Sequence, residues 1–480
     1  MTEHGVISKL KDIVGAKYVL CGDDERSQYD NDRTAAYNGR SLAVVRPANT
    51  REVAEIVKLA NHSGTPVVPQ SGNTGLNGGA SPGTGEDQII VSLARMNKIR
   101  KIDPLARTVS VEAGVILDDL RAAADAHDLV FPLLFGARGS CMIGGNLSTN
   151  AGGSNVVRYG NTRELCLGIE VVMPDGDVVD VMSELRKDNT GYDLRNLMIG
   201  AEGTLGIITA AVMKLAPKPK AYATAMISVS GISESLNVLN ALQIASNGAV
   251  EAFEYLPRKY FEHLADLRPE LRPPFDMPAD IGILVEVGAV ADSDALPDAA
   301  GKLPVVAQME NVLETFFETG VVLDAVIATS ETQRQEMWIR RELALEAAVA
   351  RGPLVNSDVS VPLDSVEAFV DMMAARLPKV APNAESGCIA HLGDGNLHYC
   401  VWPEPGNKNP VDPEMHAAIF DMIEDAVEEL HGSFSAEHGI GLSKRGSMAR
   451  RKDPAALAVM RRIKAALDPN NIMNPGKVLP

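Results

Sequence analysis

Short runs of β-branched residues alternate with helical stripes over residues 42–128. SLAVV, TPVVP, IIVSL, KIRKID and TVSVEAG predict strands. After the first of these, Val53, Ile56, Val57 and Ala60 share a helical face, with Thr50 as its cap and Gly64 as its stop. Residues 116–128 read as a further helix. The run PKPK at 217–220 then breaks the pattern, as a linker between units would. From 221 to about 425, strands such as GILVEVG mix with long helices, for example 331–350, and the proline-rich stretch 268–278 interrupts them. Asp412 and Pro413 open a helix striped by Met415, Ile419, Met422, Ile423, Val427 and Leu430 and ended by Gly432. The pattern leaves the first half α/β or α+β, with a boundary at 217–220; the reading taken is α+β, with parts at residues 1–219, 220–430 and 431–480.

A chain of 480 residues exceeds one hydrophobic core and suits several units. With 45 Lys+Arg against 63 Asp+Glu, the formal net charge is −18, a field that repels nucleic acid and anionic membranes. A small anion is still bindable, but only in a pocket built for it. Five cysteines (Cys21, Cys141, Cys166, Cys388 and Cys400) form no CxxC pair, which points to a reduced compartment. No leader-like segment opens the chain and no apolar run approaches about 18 residues, so a cytoplasmic location without a transmembrane segment is expected. The oligomeric state is left open, with a homodimer among the options.

Three glycine segments carry the first chemical signal. PQSGNTGLNGGA, residues 69–80, follows a strand and holds no charged residue. Such a loop turns successive backbone N–H groups toward one anion, and a pyrophosphate suits it. It matches neither GxGxxG nor the GKS/T phosphate loop. GSCMIGGNLSTNAGGS at 139–154 is too polar for a core strand and suits close backbone contact. IGAEGTLGIIT at 199–209 joins a glycine turn to a β-branched strand.

In this order and spacing the three segments resemble the FAD-binding domain of the vanillyl-alcohol oxidase/PCMH flavoprotein superfamily. The closing NPGKVLP and the region after the linker resemble its FAD-linked oxidase branch, which includes D-lactate and D-2-hydroxyglutarate dehydrogenases. The likeness runs from about residue 40 to 480. It implies a PCMH-type FAD-binding domain in 1–219, a substrate (cap) domain in 220–430 and a C-terminal segment, 431–480, that completes the flavin site. By position it places Ser71, Gly72, Asn73, Thr74, Gly75 and Leu76 on the FAD pyrophosphate. Ser140, Gly144, Gly145, Thr149, Asn150 and Gly153 would line the flavin side. Glu202, Gly203 and Ile208 would meet the adenosine and ribitol parts, and Asn474 the isoalloxazine. The glycine loops contain no histidine, so the FAD is expected to be non-covalent.

The second signal is HLGDGNLH. Asp394 and Gly395 suit a two-residue type I′ turn, which would pair position 391 with 398. Directly opposed Cβ atoms lie about 4.5 to 5.5 Å apart, so His391 and His398 could share one metal ion; two stacked polar residues are the plainer alternative. SAEHGIG at 435–441 adds Glu437 and His438, types that also occur as a solvated loop pair. Two His and one Glu leave positions open, as a catalytic metal site requires. The same dehydrogenases carry HxGDGNxH and EHG segments. The resemblance implies that His391, His398 and Glu437 hold a divalent ion, commonly zinc, with His438 as base. HExxH is absent. A zinc-dependent hydrolase stays open on the His and Glu residues alone, but it leaves the glycine segments unexplained.

The expected reaction is oxidation of a D-2-hydroxy acid to the 2-oxo acid, with hydride passing from Cα to flavin N5. A divalent ion would acidify the hydroxyl and orient the substrate, and His438 would accept the proton. In MWIRRELALEAA, Arg341 matches the family arginine that grips the 1-carboxylate. Two positions depart from the relatives specific for 2-hydroxyglutarate: Leu345 stands for their threonine and Asn356 for their lysine, aligned through Asp358, Ser360 and Pro362. A buried second carboxylate without its cation is costly, so a D-lactate-like monocarboxylate is the expected substrate class and D-2-hydroxyglutarate the alternative. Arg258 could replace the lysine. The electron acceptor is undetermined.

Overall fold

The computed structural model describes residues 3–34, 36–83, 87–271, 280–299 and 301–480. Most of the proline-rich stretch 268–278 therefore lies outside the described residues. The chain divides into two compact units. The first comprises Met1–Gly152, Gly160–Pro217 and Glu437–Pro480, and the second Gly153–Tyr159 and Lys218–Ala436. Among the described residues no helix is long and apolar enough to cross a membrane.

Among the described residues the first unit holds two larger sheets and a two-stranded one, Leu129–Val130 with Ala216–Pro217. In one, Ala43–Val45, Ile89–Ser92 and Val67–Gln70 run parallel, with Val19–Leu20 antiparallel on the outer edge. Its apolar runs are continuous rather than alternating because both faces are covered. The helix Thr50–Ser63 packs there through Val53, Ile56, Val57 and Ala60 and stops at Gly64 in the left-handed conformation. Its cap is Asn49 and not Thr50: the Asn49 side chain accepts from the Glu52 amide, while the Thr50 hydroxyl is taken by Glu170. The second sheet is antiparallel, in the order Ile99–Asp103, Thr108–Glu112, Ile207–Lys214, Cys166–Val172, Val178–Val181.

The second unit is built on one seven-stranded antiparallel sheet. Its order is Val322–Ile327, Ala221–Val229, Ile281–Ala289, Val250–Pro257, Glu385–His391, Asn396–Trp402, Val355–Ser360. Alternation sorts each strand onto two faces. Ala225, Ile227, Phe253, Ile283, Val285 and Leu397 join the larger core with the helices Ile232–Ala245, Pro304–Glu318, Val366–Val380 and Pro413–Glu429. Met226, Ala252, Leu256, Leu284 and Ile389 face the other way, toward Tyr260, Phe261, Met337 and Ala344. The expected helix 331–350 is two helices, Glu331–Glu342 and Ala344–Ala350, meeting at Leu343. Pro413–Glu429 is capped by Asp412 as expected, but His431, at φ 58°, takes the left-handed stop expected at Gly432. A Cβ at Gly432 would sit 2.2 Å from the Ser360 carbonyl oxygen, so that glycine serves close packing instead.

Candidate functional site

In the first unit the loop after Val67–Gln70 turns at Gly72 and Asn73, both left-handed, with φ of 85° and 49°. Among the described residues no group accepts from the amides of Gly72, Asn73, Thr74 or Gly75, which suits an anion cradle. Gly72 is hemmed in by the backbone of Ser140, Cys141 and Met142, whereas Gly75 faces open space. Gly144 and Gly145 lie in the helix Ile143–Thr149. A Cβ there would come within 2.7 Å of the Ala113 Cβ and 2.5 Å of the Ser71 carbonyl oxygen, respectively. These two glycines thus let a helix press against the cradle loop, a need distinct from ligand contact. Thr149 donates to the Gly145 carbonyl, and left-handed Asn150 ends the helix and accepts from the Arg163 amide. Ser140 is exposed.

The C-terminal segment returns to this loop. Asn77 donates to the carbonyls of His438 and Gly439 at 3.1 and 2.6 Å, and the Glu202 carboxylate accepts from the amides of Ile440 and Gly441 at 2.7 and 2.8 Å. Burial raises the pKa of Glu202, opposed by those two amides. The side chain expected to meet the nucleotide is therefore committed to clasping 438–441. Ile208 is a core strand residue opposite Val171, and left-handed Gly203 lies against Pro69. Asn474, also left-handed, donates through its side chain to the carbonyls of Gly79 and Glu202 and through its backbone to Val67. Among the described residues its buried Oδ1 and the buried Lys477 Nζ have no hydrogen-bond partner, so the unit holds buried polar atoms for an added polar molecule to meet. These features fit FAD. Gly153 is separate: it opens Gly153–Tyr159, which belongs to the second unit.

In the second unit the histidine hairpin departs from the expected turn. Its loop has four residues, Leu392 to Gly395, and pairs His391 with Asn396 and His398 with Ile389. The Gly393 amide donates to the Phe253 carbonyl, and Gly395, at φ 80°, returns its amide to the His391 carbonyl. The two added loop residues leave the parity of the strands unchanged. His391 and His398 are thus diagonal neighbours on one face, with ring centroids 5.4 Å apart and planes at 80°. Their ligand nitrogens lie within 4.8 Å of each other, which fits a shared ion.

Three further side chains complete that face. Glu254, fully buried and paired with His391 across the strands, accepts from His391 Nδ1 at 2.9 Å and from Arg341 Nε at 2.6 Å. Arg341 Nη2 lies 3.3 Å from His391 Nε2. Burial would raise the Glu254 pKa, but His391 and Arg341 overcome it and hold it at about 2. Asp358, opposite His398, lies 4.0 Å from its Nδ1 and accepts from Asn396 Nδ2 at 2.9 Å. Asn356 sits two residues along the same face, where Cys400 donates to it, and Leu345 is half exposed on the next helix. Arg258 pairs with Asp280 at 2.7 Å. Ala436 ends the unit with its amide on the Asp358 carbonyl, and Glu437 and His438 follow it directly in the chain. Sequence reading missed Glu254. VEAFEYLP holds two acids, Glu251 and Glu254, and the second falls on the parity of the apolar Ala252 and Leu256, which was the available signal.

Comparison with known proteins places this arrangement. Residues 218–478 match the family model "FAD linked oxidases, C-terminal domain" and residues 41–182 the model "FAD binding domain". The chain belongs to the FAD-linked oxidases. It is 35% identical to a D-2-hydroxyglutarate dehydrogenase of Xanthomonas citri pv. viticola, over 100% of this chain and 97% of that protein. It is also 35% identical to the mitochondrial D-2-hydroxyglutarate dehydrogenase of Rattus norvegicus, over 95% of this chain and 82% of that one. A solved p-cresol methylhydroxylase shares the fold at a TM-score of 0.75 and 18% identity, covering 99% of this chain and 96% of that one. The flavoprotein fold expected from the glycine segments is therefore present, and the oxidase is an FAD-linked enzyme.

Proposed function

We propose that this oxidase converts a D-2-hydroxy acid to its 2-oxo acid using non-covalent FAD and a divalent ion, with zinc the best match to the donors. The observation that carries the reading is His391 beside His398, with the guanidinium of Arg341, from the helix Glu331–Glu342, against His391. By type, two imidazoles and the carboxylate of Glu437, which follows Ala436 in the chain, are the donors that a catalytic zinc ion would take. FAD supplies the hydride acceptor, and the amides of Gly72 to Gly75 would hold its pyrophosphate. Arg341 would bind the substrate carboxylate as a permanently charged fork, and a divalent ion, when bound, would supply Lewis acidity to the neighbouring hydroxyl. His438 takes the hydroxyl proton, since neutral imidazole accepts a proton near neutral pH without large tuning.

For the substrate tail, Leu345 and Asn356 bring no charge, and Arg258 is engaged by Asp280. This supports a monocarboxylate with a neutral tail. The names of the relatives support D-2-hydroxyglutarate as the second reading. Anaerobic mixing with D- and L-2-hydroxy acids, followed at the flavin absorbance with and without chelator, tests both. Bleaching by D-lactate or a longer D-2-hydroxy monocarboxylate, at least about a hundredfold more efficient than by D-2-hydroxyglutarate, is expected. The reverse order would establish the dicarboxylate. No bleaching by any hydroxy acid would end the dehydrogenase reading.

A further inference from the structure

We propose that Glu254 is a positioning residue that joins the histidine site to the substrate anchor, fixing His391 as the Nδ1–H tautomer with one oxygen and aiming Arg341 with the other. The inference rests on the metal reading above and adds a residue to it.

Glu254 lies mid-strand opposite Leu284, on a face that also carries Ala252, Leu256, Met226 and a second buried acid, Glu286. An apolar residue would serve that core better, because a buried carboxylate costs several kcal/mol unless its oxygens are satisfied. Both of its oxygens are used, Oε1 at His391 Nδ1 (2.9 Å) and Oε2 at Arg341 Nε (2.6 Å). An ionised carboxylate only accepts, so the bond to Oε1 requires a proton on Nδ1, and in the neutral ring this leaves the lone pair on Nε2, the nitrogen that would serve a metal ion in place of the Arg341 Nη2 contact. The same carboxylate holds the Arg341 head within 3.3 Å of that ring, so one buried group registers the arginine against the histidine site.

Calorimetric titration of zinc into full-length, FAD-loaded, chelator-treated protein tests this without a turnover assay. Glu254→Gln should weaken zinc binding by about ten- to a hundredfold. Because it strands the Arg341 charge, the double variant Glu254→Gln/Arg341→Met, which removes both charges, guards against loss of folding and should show the same weakening. Glu286→Gln breaks another buried ion pair of the same unit, to Arg334, and should lower the melting temperature while leaving zinc affinity as in the native protein. Native-like zinc affinity in a folded Glu254 variant would overturn the proposal alone. Equal weakening in Glu286→Gln would also overturn it, by showing general destabilisation. No zinc uptake by the native protein would overturn the metal reading and this inference together.

Discussion

At the scale of single residues, side-chain chemistry was readable but partners were not. His391, His398 and Arg341 stood out by type and motif, whereas Glu254, about 90 positions from Arg341, joins them only because its strand pairs with the first strand of the hairpin. His391→Ala should remove one imidazole donor and leave the first unit untouched. Zinc content should fall below one ion per chain and bleaching should cease, while the yellow colour and FAD content persist. Lys477 yields a pH prediction. Burial first, then the Arg445 charge, pushes its pKa down to about 8, against an ordinary value of 10.5. In flavin-stripped protein the native state therefore holds a costly charge below pH 8. Between pH 8 and about 10.5 the unfolded chain binds the extra proton, so stability from this group rises across that window. Lys477→Met should melt higher than native at pH 7, and the advantage should shrink as pH rises through 8 toward 10.5 in thermal scans.

At the scale of elements, periodicity located the strands and helices well because each buries a repeating face. Turn chemistry was less certain. Asp-Gly marked the bend after His391, yet a bond from the Gly393 amide to the Phe253 carbonyl, on a strand more than 100 residues earlier, lengthened the loop from two residues to four. The histidines still share a face because the register moved by an even step. Gly395 carries that loop, with φ at 80° and a Cβ position only 2.3 Å from the Val361 carbonyl oxygen. Gly395→Ala should cost roughly 1–3 kcal/mol in backbone strain and lower the melting temperature by several degrees. Zinc affinity should fall with it, since His391 and His398 flank the loop. An unchanged melting temperature would show that the loop relaxes around a side chain.

At the scale of the whole molecule, two matched domains and relatives 35% identical along the length place the chain among the FAD-linked oxidases. The loops expected at the flavin hold no histidine. Denaturation by acid or heat should therefore release all FAD into the supernatant, measured by its fluorescence after the protein is pelleted, and flavin retained on the precipitate would show a covalent link.

The sequence by itself determined the elements, the uncharged glycine loop and the identities of the donors, because burial periodicity, glycine freedom and side-chain chemistry are local properties. Only the tertiary structure decided that Glu202 clasps the returning C-terminal segment, that Gly144 and Gly145 serve helix packing, and that Glu254 lies between His391 and Arg341. Each depends on groups far apart in the chain meeting within hydrogen-bond or van der Waals reach. Strand order and register set those distances, and no local pattern encodes them.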